Sequence, residues 1–391
     1  MRFKGLIITG TSCSGKSTIV NELVKPDESA DHFTQVRAVT TRKRRSDDTI
    51  YDYVTNEMFE KLKADEKLLV SDSYRDKQYG IKKEEYEKAL SNNEIPVLVI
   101  TPSSASRLVK DSQDFMCVFV DASNEELIER YKTRSGKDLK DVEKKEVEAQ
   151  RERDRENADV AHYVLRNKTV QDSTTLIKDL WRYNNQGGGL PKQLISKMIS
   201  CGMLLENADL GGVKGASYDL RLGDEYYYGG EIRRLSTGKP FLTIEPYDYA
   251  IVSCEETACI PRNIIAKFGL SVGLFCQGII LSNGPQIDPG FRGTLFCLLF
   301  NTSNRAVHIK RGQHYATIEF NKLLEFADSY KGKYQDKKSI IDYIPENALY
   351  GAINELKKDI ERLRNESRLM QNIYLAVVAL MFTIISLLLA R

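Results

Sequence analysis

Short runs of apolar residues, each bounded by glycine or charge, punctuate the first part of the chain: KGLIITG at 4–10, IPVLVIT at 95–101 and FMCVFVDA at 115–122. Between them lie charged stretches of helical length. Continuous apolar runs of strand length alternating with such helices predict an α/β unit with a parallel sheet over residues 1–183. The glycine-rich stretch at 184–190 predicts a flexible linker, closed by Pro191. Residues 191–340 change character: short strands separated by glycine turns predict an all-β barrel or sandwich. Within them QIDPGFRGTLFCLLFN, 286–301, reads as a D-P-G turn leading into a strand. Over 345–371, Leu349, Ile353, Leu356, Ile360, Leu363 and Met370 follow a 4-3 spacing interrupted by Ser367. That stripe suits an oligomerising coiled-coil stalk or a helix packed on its own domain. Residues 372–390 are uncharged and overwhelmingly apolar, about as long as a bilayer core requires. They predict a C-terminal transmembrane helix.

Composition narrows the classes. A chain of 391 residues exceeds one hydrophobic core, and 41% hydrophobic with 29% charged residues is globular. A net charge of +2 gives no basic signature, and nucleic acid is not an expected partner. The seven cysteines form no C-x-x-C pair, as in a reducing compartment, and the four histidines lack zinc-ligand spacing. Arg362, Arg364 and Arg368 precede the apolar tail and only Arg391 follows it. The positive-inside rule then predicts a single-pass tail anchor with both domains in the cytoplasm.

The first apolar run leads directly into GTSCSGKST. G-x-x-x-x-G-K-[ST] between a buried strand and a helix is a phosphate-binding loop. Gly10 and Gly15 let backbone amides close on a phosphate, with Ser12, Ser14 and Thr18 lining the loop. Lys16 would reach the β- and γ-phosphates of ATP as phosphoryl donor, and the Ser17 hydroxyl would hold Mg²⁺. RKRR at 42–45 supplies fork-shaped cations suited to a second phosphate, though a basic run is also what a solvated turn contains.

Residues 3–180 resemble guanylate kinase and its relatives through GTSCSGKST, AVTTRKRRSDDTIYDYV, YGIKKEEYEKAL and VFVDASNEELIERYKTR. The resemblance implies an acceptor phosphate gripped by Arg42, Arg45, Tyr51 and Tyr79. It also implies a mobile lid whose cations would be Arg134, Lys145 and Arg151, with Arg153 and Arg155 nearby. The family's guanine-reading acid is Val70 here, and its strand-end aspartates are Val99 and Thr101. An acceptor other than GMP is expected. Asp72 or Asp76 could take over the missing acid's work.

LPKQLISKMISCGMLL, GASYDLRLGDEYYY, PRNIIAKFGL, QIDPGFRG and YKGKYQ resemble dCTP deaminases and dUTPases over residues 190–337. The resemblance implies that Asp219 supports the site, that Asp288 contacts a deoxyribose and that Phe291 packs beneath the sugar. Lys333, Tyr334 and Gln335 would fold over a triphosphate. Ser271 stands where that family carries a phosphate-binding arginine, and Leu298 where the deaminases carry their proton-shuttling glutamate. Leucine cannot act as a general acid or base, so deamination is not expected. The domain is left with ligand binding or oligomerisation, and since its relatives are commonly trimeric, self-association is expected.

Two functions follow. One is ATP- and Mg²⁺-dependent phosphoryl transfer to a nucleotide or sugar phosphate at a membrane. The other is a non-catalytic nucleotide sensor or effector acting at the membrane, a design that would suit surveillance of nucleotide pools, for instance in phage defence.

Overall fold

The computed structural model describes residues 3–26, 31–44, 51–74, 76–344 and 352–389. In the first unit, strand β1 (Gly5–Gly10) runs into helix α1 (Lys16–Leu23). There follow β2 (Phe33–Gln35), β3 (Ala38–Thr40), β4 (Tyr51–Tyr53), α2 (Asn56–Ala64), β5 (Leu68–Tyr74), β6 (Lys77–Lys82) and α3 (Lys83–Ser91). Then come β7 (Ile95–Val99), α4 (Pro102–Asp111), β8 (Phe115–Asp121), α5 (Asn124–Ser135), α6 (Asp141–Arg155), β9 (Tyr163–Arg166) and α7 (Val170–Arg182). The three apolar runs are central strands of a five-stranded sheet in the order β2-β7-β1-β8-β9. Every pairing in it is parallel. Leu6, Ile7 and Ile8 of β1 are wholly buried, as strands covered by helices on both faces must be. A second sheet, β4-β3-β6-β5, stands apart from the first. It carries Tyr51, Val70 and Tyr79 towards the carboxyl ends of β1 and β7.

The second unit contains β10 (Gly188–Gly189), α8 (Lys192–Ser200), β11 (Leu204–Glu206), β12 (Ser217–Tyr228), β13 (Glu231–Arg234), β14 (Phe241–Ile244) and β15 (Tyr249–Cys259). It continues through β16 (Ile264–Leu270), α9 (Val272–Phe275), β17 (Ile279–Ser282), β18 (Arg292–Asn301), β19 (Val307–Lys310) and β20 (His314–Lys322). Nine of these strands form one sheet, with β10-β20-β12-β15-β18-β17 as its main path, and β14 pairs with β19. The D-P-G stretch does form a turn, since Phe291 N–H donates to Asp288 O at 3.1 Å, and β18 follows at once.

The flexible linker is corrected by the structure. Gly188 and Gly189 pair with Lys322 and Asn321 of β20, and Lys322 Nζ donates to Asn184 O at 3.0 Å. Leu190 is buried in a single apolar cluster that also holds Leu6 of the first unit and Leu220 of the second. Asn263 Nδ2 donates to Tyr163 OH at 2.7 Å within this junction, and Phe326 sets its ring 4.4 Å from His162. A linker whose flanking residues share a core has no freedom left to exploit.

Helix α10 spans Ala352–Leu389. Ile360, Leu363 and Met370 lie exposed along it. The start of the expected stalk, 345–351, lies outside the described residues. So do the side chains at 383–385 and 387–389 and residues 390–391, on which the expected membrane span partly rests. Among the described residues no helix is long and apolar enough to cross a membrane.

Candidate functional site

The carboxyl ends of β1 and β7, the start of α1 and the second sheet enclose a cleft of about 1070 Å³. Its floor is the glycine loop. Gly10 has φ +132° and Gly15 φ +98°, a region that L side chains avoid. A Cβ would lie 2.1 Å from Val120 O at Gly10 and 2.2 Å from Asn167 Nδ2 at Gly15. The loop is braced from below. Arg130 donates to Ser14 O at 3.0 Å and to Asn167 O at 2.7 Å, and Asn167 Nδ2 donates to Ser14 O at 2.8 Å. Sequence reasoning did not single out Arg130 or Asn167. Their role depends on the Ser14 carbonyl, more than a hundred positions away.

Ser12, Lys16, Ser17 and Thr18 line the cleft together with both glycines. Ser14 does not: its side chain is fully buried beneath the loop, with its hydroxyl unpaired. Lys16 Nζ folds back onto Gly10 O at 2.8 Å and Thr11 O at 2.7 Å. Desolvation pushes its pKa down to about 8, against the opposing pull of Asp154. Asp154, on α6, is the single acidic residue among the described residues lining the cleft, which also carries Arg42, Lys43, Arg44, Lys77, Arg130 and Arg134. Such a balance suits a polyanion.

Of the four expected acceptor-phosphate residues, the structure brings three together. Arg42 stacks its guanidinium 4.6 Å from the centre of the Tyr51 ring, and Tyr51 meets Tyr79 edge-on at 6.0 Å. Arg45 lies outside the described residues. The expected lid divides. Arg134 lines the cleft, with Nη1 3.7 Å from Cys13 Sγ. Arg151 does not: it makes a two-pronged pair with Asp121 at 2.9 and 2.8 Å and also donates to Asn124 Oδ1 at 3.1 Å. Asp121 ends β8 and is buried, so this Arg holds α6 to the sheet. Lys145 is exposed and is not among the residues lining the cleft.

Asp72, which the sequence could not place, is set by the register of β5 beside the end of β7. Its carboxylate accepts from Thr101 Oγ1 at 2.6 Å, from Ser103 Oγ and from Ser73 N–H at 2.9 Å. Arg107 Nη2 stands 3.5 Å away. Burial acts against ionisation there, but these partners outweigh it and hold the carboxyl below its ordinary range. Asp76 is exposed and does not line the cleft.

In the second unit the expected residues lie on β12, on the 286–291 turn and on the segment after β20, and the last two pack together. Asp219 faces His314 Nε2 at 3.2 Å, Thr317 Oγ1 at 3.3 Å and Lys214 Nζ at 3.5 Å, all on β12, β20 or the approach to β12. Asp288 accepts from Gln286 Nε2 at 3.0 Å, and Phe291 meets Tyr330 edge-on at 5.5 Å. The K-Y-Q tail folds onto its own domain. Gln335 accepts from Arg292 N–H and donates to Gly290 O, both at 3.0 Å, while Tyr334 stacks on Tyr343 at 5.1 Å beneath Lys333. Leu298 packs in an apolar cluster with Tyr227, Ile251, Phe296 and the fully buried Ile340. Ile340 belongs to a strap, 339–344, pinned by Glu225, which accepts from Ser339 Oγ at 2.7 Å and from Ile340 N–H at 2.5 Å.

Comparison with known proteins divides the chain at the same junction. The guanylate kinase family profile matches residues 2–183, and the dCTP deaminase-like profile matches 190–323. A guanylate kinase of Cutibacterium acnes is 30% identical over 182 residues, covering 44% of this chain and 87% of the relative. A dCTP deaminase of Thermococcus kodakarensis is 34% identical over 152 residues, covering 39% of this chain and 94% of the relative. The chain belongs to both families. Among solved structures, the guanylate kinase of Anaplasma phagocytophilum matches at 17% identity with a TM-score of 0.37, over 47% of this chain and 87% of that one. The guanylate kinase-family half thus owns the open cationic cleft. In the dCTP deaminase-like half Leu298 is partly buried and packs on the apolar cluster that Ile340 of the strap joins.

Proposed function

We propose that the guanylate kinase-like domain transfers the γ-phosphoryl group of ATP to a nucleoside monophosphate other than GMP. The observation that carries this is the convergence of Lys16, Ser17, Arg42, Tyr51, Tyr79 and Arg134 on one cleft. The glycine loop and Lys16 hold the donor phosphates, and Arg42 with Tyr51 and Tyr79 grips the acceptor phosphate. Arg134 reaches the region between them and neutralises charge that develops during transfer. The site suits Mg²⁺: the exposed Ser17 hydroxyl faces the cleft, and Mg²⁺ otherwise takes phosphate oxygens and water. When bound, the ion would neutralise phosphate charge. Val99 supplies no strand-end carboxylate, so Ser17 is the side chain offered to the ion. Arg151 keeps α6, and with it Asp154, against the sheet.

The dCTP deaminase-like domain, in this reading, binds or assembles without deaminating. Support comes from Leu298, an apolar side chain inside an apolar cluster, where no proton can be shuttled. Anchoring at a membrane and exposure to the cytoplasm rest on the apolar run at 372–390 and its flanking arginines alone. Homo-oligomerisation rests on the spacing of apolar residues in α10 and on the family.

The decisive experiment mixes the full-length chain with ATP, Mg²⁺ and a panel of nucleoside monophosphates and sugar phosphates. ADP appearing with one phosphorylated nucleotide supports the kinase. ATP binding with no turnover of any acceptor favours the sensor instead. Alkaline carbonate extraction of cell membranes tests the anchor, which release of the chain would eliminate.

A further inference from the structure

The base end of the cleft is built differently from its phosphate end. Ala38, Val70 and Val99 give it an apolar surface, and the first turn of α4 gives it polar groups, Thr101 and Ser104. Thr101 caps α4. Its single hydroxyl proton goes to Asp72 at 2.6 Å, and one lone pair takes the Ser104 N–H at 3.2 Å. Ser103 Oγ stands 3.3 Å from the same oxygen but gives its own proton to Asp72; a hydroxyl has one proton and two lone pairs, so what Thr101 can still offer a ligand is one acceptor site. Asp72 is itself spent on Thr101, Ser103, the Ser73 amide and Arg107. It does not line the cleft and is not offered to a nucleobase. Ser104 is 3% exposed, lines the cleft and has no hydroxyl partner among the described residues. Its hydroxyl is therefore available to a ligand, to donate or to accept.

We infer that this turn reads a base edge carrying one donor beside one acceptor, and that the acceptor substrate is a mononucleotide whose base lacks a 2-amino group. Asp72 acts as the positioning residue that makes Thr101 an obligate acceptor. Guanine presents O6, N1–H and a 2-amino group. Two of these would be met by Ser104 and Thr101, and the third would be buried against Val70 and Val99 without a partner. Hypoxanthine differs from guanine by that amino group alone. Adenine, cytosine and uracil also offer a donor–acceptor pair without it.

This deepens the kinase reading, and binding tests it separately from turnover. Titration calorimetry on the full-length chain should give inosine monophosphate an affinity at least about tenfold above that of GMP, the cost of one buried unpaired donor. Equal affinities, or a preference for GMP, would overturn the inference whether or not either nucleotide is phosphorylated. Failure of the whole panel to turn over while this preference holds would remove the kinase and leave the base reading standing. In the Asp72→Asn variant Thr101 can turn its proton into the cleft. The affinity for inosine monophosphate should then fall several-fold, because N1–H meets a donor, while ribose 5-phosphate binds as before, and an unchanged affinity would remove Asp72 from the role. Ser104→Ala supplies a second arm: inosine monophosphate should weaken about fivefold with ribose 5-phosphate unaffected, and no change would exclude Ser104 as a reader.

Discussion

The cleft of the first domain and the hairpin face of the second solve opposite problems with residues that look equally nucleotide-directed in sequence. In the cleft, cations and hydroxyls are held open. The glycines keep backbone amides accessible, Arg130 and Asn167 brace the loop from below, and among the described residues one carboxylate sits with seven cations. On the second domain, Phe296 and Leu298, both partly buried, pack with Ile251, Tyr227 and the strap's Ile340. A charged site must stay hydrated until its ligand arrives, because unpaired buried charge is costly. An apolar face lowers its free energy by being covered, and here the chain covers it itself.

The most severe way to break the contrast is Lys16→Ala. ATP affinity and transfer should fall about a hundredfold or more while the melting temperature stays nearly constant. Parallel loss of folding, seen by circular dichroism, would mean that the lysine's bonds to Gly10 and Thr11 are structural. Arg42→Ala should raise the acceptor KM about ten- to a hundredfold with a smaller effect on ATP, as loss of a charge-assisted phosphate contact predicts. An unchanged acceptor KM would place the acceptor phosphate elsewhere.

Leu298→Glu tests the other side. A carboxylate inserted among Ile251, Phe296 and Ile340 should cost about 2 kcal/mol and lower Tm by several degrees. Deamination of dCTP by that variant would show that the apolar face is a disabled site rather than a covered surface.

Two smaller effects follow from titration. Lys16 has a depressed pKa of about 8, and a bound phosphate favours its charged form. ATP should therefore bind with proton uptake between roughly pH 8 and 10 and weaken several-fold as pH rises through 8. Calorimetry in buffers of differing ionisation enthalpy measures the uptake. Glu225 runs the other way. Burial would raise its pKa, but Ser339, the Ile340 amide and Arg234 hold it below the ordinary 4.5. Its contribution to strap docking is present above pH 4.5 and is lost as pH falls through the depressed value. Glu225→Gln should accordingly speed proteolysis within 330–344 at neutral pH by a modest factor, and an unchanged cleavage rate would show that apolar contacts alone hold the strap.

Where sequence reasoning succeeded, the signal was local. G-x-x-x-x-G-K-S is a stretch of backbone and side chain that acts on a phosphate within eight positions. Three successive apolar runs fix a parallel sheet because strand burial is written in consecutive residues. Arg42, Tyr51 and Tyr79 were legible through family likeness, and β3, β4 and β6 bring them into one cleft. Where it failed, the deciding partner was remote. Arg151 has the spacing of a lid cation, but Asp121 ends β8 and the packing of α6 gives the arginine to that carboxylate. Gly188 and Gly189 have the composition of a free linker, but β20 offers an edge and they pair with it.

The chain's order of residues alone determined that there are two nucleotide-directed units, where the phosphate loop lies, and that Val70, Val99 and Thr101 replace the acids of the guanylate kinase family. The phosphate loop is a property of short-range spacing, which needs no knowledge of the remainder; the second unit's character and the replaced acids are what the family resemblance implies. Tertiary structure alone decided that Asp72 reaches Thr101, that Arg130 and Asn167 brace the loop, and that Ile340 joins the apolar cluster of Leu298. Each of those contacts closes a loop of 29 to 153 residues, and nothing local in a sequence encodes which distant carboxylate, amide or side chain will arrive there.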